Sequence, residues 1–171
     1  MSDSTPTGSP SVFRAPMRSR RDDVPDGPAV ERALTFGICG MGGRLAHPPE
    51  SLSDALTAAD AQLGERSARR IERFAAVADG AFVWTRDVDG NAWLGRLEGP
   101  WRYDATPDAF GVDLVHVRDC DWLAAPVSPA EIPPGVRVAF ARGGRNWQRI
   151  RADGVSALTV TLWERGRSGQ P

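Results

Sequence analysis

From Ala81 onward, turn-forming residues interrupt the chain so often that only short strands fit between them. Ala81-Phe-Val-Trp-Thr-Arg86 carries the aromatic and β-branched residues that suit a pleated, half-buried surface. Asp87-Val-Asp-Gly-Asn91 reads as a hairpin turn, and Ala92-Trp-Leu-Gly-Arg-Leu97 as the returning partner. Trp101-Arg-Tyr103 is a third strand and Leu114-Val-His-Val-Arg118 a fourth, which Cys120-Asp-Trp-Leu123 continues after a bulge. Val127 to Pro134 is a proline-rich connection, Val136 to Phe140 a helical turn or short strand, and Arg145 to Ile150 a further strand. Val155 to Trp163 contains β-branched residues, yet Val155, Leu158 and Leu162 share one helical face, so a helix is expected there. Many short strands separated by Gly and Pro turns indicate a barrel rather than an open sheet.

Upstream, Leu34 to Gly43 reads as a strand running into a glycine-rich turn, with glycine at 37, 40, 42 and 43. Ser51 to Leu63 is alanine-rich with a serine positioned as N-cap, and Ser67 to Val77 puts Ile71, Phe74 and Ala75 on one face; both are expected helices. Residues 1 to 29 are rich in Ser, Thr, Pro, Asp and Arg and bury too little apolar surface to offset ordering, so they are expected to be disordered. Their basic run Arg18-Ser-Arg-Arg21 is followed by Asp22, Asp23 and Asp26, and reads as a solvated tail. The expected organisation is therefore a disordered tail over 1–29, one β-barrel domain with two or three helices over 30–165, and a flexible terminus over 166–171.

Composition excludes several chemistries. All 21 basic residues are arginine, so lysine Schiff bases and phosphate-loop lysines are ruled out. The net charge of -1 gives no bulk attraction to nucleic acid or to anionic lipid. Cys39 and Cys120 sit in apolar stretches and read as buried free thiols. His47 and His116 stand far apart, and no metal-ligand spacing, nucleophile elbow or Walker loop appears, so neither a metal, a cofactor nor an enzymatic activity is expected. No stretch has the ~20 apolar residues of a membrane span, and the first 28 residues lack a signal-peptide core, which makes the cytoplasm the expected compartment.

The aromatic residues are more informative. All six tryptophans and the single tyrosine lie at residue 84 or beyond, interleaved with Arg86, Arg96, Arg102, Arg118, Arg145 and Arg149. Pro134 to Arg151 carries five arginines and no acidic residue. Bases stack on aromatic planes and guanidinium groups pair with phosphates, so the mixture suits nucleic-acid contact. Tryptophan is also a good core residue. Trp93 and Trp122, flanked by aliphatic residues, are expected to be mostly core. Strand alternation in 145–150 points Ile150 inward and displays Trp147 between Arg145 and Arg149.

The succession Gly80-Ala-Phe-Val-Trp-Thr-Arg86, Trp93-Leu-Gly-Arg-Leu-Glu-Gly-Pro-Trp-Arg-Tyr103, Val115-His-Val-Arg-Asp-Cys-Asp-Trp-Leu123 and Asn146-Trp-Gln-Arg-Ile150 resembles a known module. It is the small β-barrel domain at the N-terminus of Mrr-type restriction endonucleases, itself similar to the PUA-like and EVE modified-base readers. The match spans residues 34 to 150. The resemblance implies an α+β fold built on a PUA-like, partly closed β-barrel, and a non-catalytic module that reads a flipped or modified base in bacterial defence. Nuclease activity is not implied, because a chain without lysine has no D…ExK set.

A base pocket would lie between Gly40-Met41-Gly42-Gly43 and the barrel mouth, lined by Trp84, Trp93, Trp101, Tyr103, Asn146 and Trp147. Arg96, Arg118, Arg145 and Arg149 would engage the backbone. DNA rather than RNA is the expected nucleic acid, with a partner protein supplying any effector activity. The competing reading is a protein-interaction module that docks on a partner enzyme.

Overall fold

The computed structural model describes residues 8–169. In chain order its elements are β1 (Val12–Arg14), α1 (Pro28–Phe36), β2 (Ile38–Met41), α2 (Leu52–Leu63), α3 (Glu65–Ala76), β3 (Phe82–Arg86), β4 (Ala92–Tyr103), α4 (Pro107–Val112), β5 (His116–Trp122), α5 (Pro134–Arg142), β6 (Gln148–Arg149) and α6 (Val155–Ser168). The fold is α+β, around a six-stranded mixed sheet of order β2-β5-β4-β3-β1-β6. The expected barrel is corrected: among the described residues no ladder joins β2 to β6, so the sheet stays open. Its longest member, β4, shifts register between Glu98 and Arg102, and this irregularity fuses two expected strands into one.

The largest correction concerns the N-terminus. β1 lies between β3 and β6, parallel to the first (Val12↔Phe82, Phe13↔Val83, Arg14↔Trp84) and antiparallel to the second. Residues 8–29 are therefore part of the domain; the first seven residues of the expected tail lie outside the described ones. Three residues suffice because alternation sends Val12 and Phe13 into the cores on opposite faces of the sheet. Arg14, which made the segment look polar, is itself buried at 3% exposure. Its guanidinium donates to the carbonyl oxygens of Ala139 (2.7 Å) and Gly143 (2.5 Å), satisfying the C-terminal end of α5.

Both faces of the sheet are covered. Phe13, Val83, Leu97 and Val117 pack with Val30 and Ala33 of α1 and Phe74 of α3. On the opposite face Val12, Phe82, Trp84 and Leu94 pack with Val136 and Phe140 of α5 and Trp163 of α6. Ala55 and Ala59 of α2 meet Ile71 of α3 in a third, smaller cluster.

Among the described residues six α-helices stand where two or three helices were expected. The additional ones begin on proline at an N-terminal position: Pro28 in α1, Pro107 in α4 and Pro134 in α5. Ser51 caps α2 as its position suggested, accepting from Asp54 N at 3.1 Å. α6 is helical through Ser168, which corrects the flexible terminus expected from residue 166; residues 170–171 lie outside the described residues. Among the described residues no helix is long and apolar enough to cross a membrane.

Candidate functional site

An open cavity enclosing about 120 Å³ lies where four loops meet. Its lining comes from the segment after β1 (Arg18, Arg20, Arg21), the end of β2 and the loop beyond it (Met41 to Arg44), α3 with the end of α2 (Leu63, Ser67, Arg70, Ile71), Asp113 before β5, and Arg145 and Trp147 before β6.

The loops are tied together by Asp113. Its carboxylate accepts from Ser19 Oγ at 2.5 Å and from Gly43 N at 3.0 Å. Asp113 holds a left-handed backbone (φ 51°) as the C-cap of α4, and is buried. A Cβ on Gly42 would collide with this carboxylate, so glycine there permits the close approach of the two loops. Next to it the buried His116 braces the same loop. Trp101 Nε1 donates to His116 Nδ1 (3.3 Å), which leaves Nε2 to donate to the carbonyl of Gly43 (2.8 Å). Burial pushes the His116 pKa down, against the raising effects of the Gly43 bond and Asp113.

The cavity is strongly positive. Six arginines line it against one carboxylate, and that carboxylate is already engaged. Arg21 pairs with Asp23 at 3.0 Å, and Arg18 approaches Asp26 at only 3.9 Å. Arg20 donates to the side-chain oxygen of Asn146. Arg44 donates to the carbonyls of Phe110 and Gly111 and lies 4.4 Å over the Phe110 ring. Among the described residues Arg20, Arg44, Arg70 and Arg145 form no ion pair with a carboxylate. Burial, then the charges of Arg20, Arg66 and Arg73, hold the Arg70 pKa below its ordinary value. Like charges gathered with so little compensation make the cavity an anion trap.

Trp147 supplies the aromatic surface. It is half-buried, stacks on Phe13 of β1 (4.7 Å between centroids, 20° between planes) and meets Phe74 of α3 edge-on at 5.1 Å. Met41, Leu63 and Ile71 complete the apolar part of the lining.

Of the residues singled out in the sequence, Met41, Gly42, Arg145 and Trp147 meet here, and Asn146 joins the rim through Arg20. Gly40 is buried in β2, where a Cβ would strike the carbonyl of His116. Trp84 is withdrawn as a ligand contact: it is fully buried on the opposite face, its Nε1 donating to Thr159 Oγ1 at 3.3 Å. Trp93 lies outside the cavity, donating to Asp87 Oδ2 at 3.0 Å in the β3–β4 turn. Trp101 and Tyr103 line a separate depression beside Pro49 and Leu52, and both rings pack against His116.

Arg118 is likewise withdrawn. At 2% exposure it donates to the carbonyls of Phe74, Val77 and Gly99 and pairs with Asp79 at 2.8 Å, so it closes the end of α3. Arg96 pairs with Glu98 and lies 5.2 Å over Trp163, and Arg149 is exposed on β6; neither lines the cavity. Sequence reading missed Arg18, Arg20, Arg21, Arg44, Arg70 and Asp113. The run Arg18-Ser-Arg-Arg21 was the available signal, discounted because acidic residues follow it.

No protein-family model matches the chain, and no curated protein matches it. Among solved structures the chain is similar to the YTH domain of the Zygosaccharomyces rouxii MRB1 protein, solved in complex with N6-methyladenosine RNA. The superposition covers 94% of this chain and 89% of that one, at 13% identity and a TM-score of 0.46.

Proposed function

We propose that this protein is a non-catalytic nucleic-acid-binding module that takes one base of a strand into the arginine-ringed cavity. The observation that carries this reading is the pairing of Trp147 with the six arginines in a single concavity. A base entering it stacks on the indole, and the guanidinium groups hold the phosphates on either side. Met41, Leu63 and Ile71 give an exocyclic methyl group apolar contacts, which favours an extruded, modified base of the kind the sequence resemblance implies.

The non-catalytic part of the reading rests on the reactive groups. Both cysteines are buried and free, and burial pushes the Cys39 thiol up to about 12. His116 has both ring nitrogens engaged within the fold.

The test is a titration with single- and double-stranded DNA and RNA oligonucleotides, with and without modified bases, at two salt concentrations. The expected result is salt-dependent binding that quenches tryptophan fluorescence and is weakened by Trp147→Ala. Absence of binding at low salt would sink the reading.

A further inference from the structure

Beside the larger cavity lies a small, open surface recess enclosing about 30 Å³, lined by Arg14, Arg18, Arg86, Phe140 and the glycines after α5. Arg18 lines both, so the two are neighbours across one side chain. Three arginines, Arg14, Arg18 and Arg86, belong to the lining of the second cavity. Arg14 is buried at 3% exposure, and its Nε is shut off from solvent without an acceptor. Arg86 lies 5.0 Å over the Phe140 ring. Among the described residues neither Arg14 nor Arg86 pairs with a carboxylate, and the one acidic neighbour of Arg18, Asp26, is 3.9 Å away with both side chains well exposed.

Burial, then the charges of Arg18 and Arg86, hold the Arg14 pKa below its ordinary value. An anion placed among the three would relieve that repulsion. The cavity offers no stacking platform, because the face of its one aromatic ring is already occupied by Arg86. A base therefore gains nothing here, whereas a phosphate gains two or more charge-assisted hydrogen bonds.

We infer that this second cavity is a phosphate subsite that holds a phosphodiester of the strand next to the base-holding cavity, with Arg18 bridging the two. The inference rests on the reading of the larger cavity given above. It makes the ligand a polynucleotide strand rather than a free nucleotide, because a mononucleotide fills one cavity and leaves the other empty.

The experiment uses Arg86→Gln in the full chain, since Arg86 is exposed and lies outside the base-holding cavity. Arg165→Gln, which removes the same charge from α6 outside both cavities, is the control. Binding of a fluorescein-labelled mixed-sequence single-stranded oligonucleotide is compared with binding of nucleoside monophosphates. For Arg86→Gln the strand should bind more weakly and the slope of log K against log salt should fall by about one. Monophosphate binding should equal that of the parent and the control. Strand binding that Trp147→Ala weakens but Arg86→Gln leaves at the control level overturns the subsite alone. Equal losses for strand and monophosphate overturn it as well, because the two cavities are then one site. A parent that binds neither ligand overturns the reading of the larger cavity, and the subsite with it.

Discussion

The indole of Trp147 rests on the ring of Phe13, 4.7 Å between centroids and 20° from parallel. The stacking platform of the cavity is thus seated on the N-terminal strand. We expect Trp147→Ala to lose about 1–3 kcal/mol of oligonucleotide affinity with no change in salt slope, because a stacking contact neutralises no phosphate. Anisotropy titrations across a salt series measure both quantities, and a changed slope with intact affinity would contradict the stacking role.

Arg70 and Arg145 should behave in the opposite way. Both line the cavity without a carboxylate partner among the described residues. Changing either to glutamine should lower the salt slope by about one and weaken binding of all sequences alike. Thermal midpoints should stay at or above the parental value, since removing one of several crowded cations relieves repulsion.

Deleting residues 1–28 should abolish cooperative folding. The deletion removes β1, exposes the pairing edge of β3 and takes Val12, Phe13, Ala15 and Met17 out of the core. Val12, Phe13 and Met17 are each worth about 1.5–3 kcal/mol of burial, against a total stability of about 5–15 kcal/mol. A truncated chain with a sharp, parental thermal transition would contradict the placement of β1.

Arg118→Met separates a structural arginine from a binding one. The change orphans the last carbonyls of α3 and the carbonyl of Gly99. A cost of about 2–4 kcal/mol is expected, from buried acceptors left unpaired. Oligonucleotide affinity per folded molecule should not move. Chemical denaturation gives the first quantity and titration of the folded variant the second.

His116 gives the fold an acid-side sensitivity. Its folded-state pKa is depressed by burial, so the unfolded chain binds the extra proton first. The contribution is fully present above the ordinary histidine value of about 6.5 and is lost as pH falls from there through the lowered folded value. Thermal midpoints should decline over that window for the parent. In His116→Gln the decline should flatten, whatever the variant's absolute stability. Parallel curves for the two proteins would assign the decline to other groups.

Local signals in the chain foretold the elements whose own residues determine them. The β3–β4 hairpin has its turn residues and its alternating apolar residues within one short stretch, and α2 announces its cap at Ser51. β1 escaped because a strand of three residues has no measurable period, and its arginine looks solvated unless the carbonyls at the end of α5 are known to meet it. Arg118 misled for the same reason: charge suggests a surface, while its partners come from a helix more than forty residues earlier. The sequence of 145–150 reads as a strand with Trp147 on display. Only Gln148–Arg149 forms a ladder, and Trp147 is held between Phe13 and Phe74. Arg145 and Trp147 could be picked out by composition. The arginines opposite them reach the cavity only through tertiary folding.

The order in which these pieces leave the ribosome has a consequence for how the protein is made. Arg18 must wait for its cavity until Arg70 has emerged, then Asp113, and finally Trp147. Val12 and Phe13 stay unpaired until Phe82 and Val83 are synthesised, and the outer ladder partner of β1 arrives with Arg149. Closing loops of this length costs entropy before any contact repays it, which slows folding. A nascent chain thus carries a strand lacking one or both partners, and an incomplete ring of positive charge, until Arg149 is made. During that interval it is exposed to the two hazards of an open strand edge and of nonspecific capture by the ribosome's own RNA.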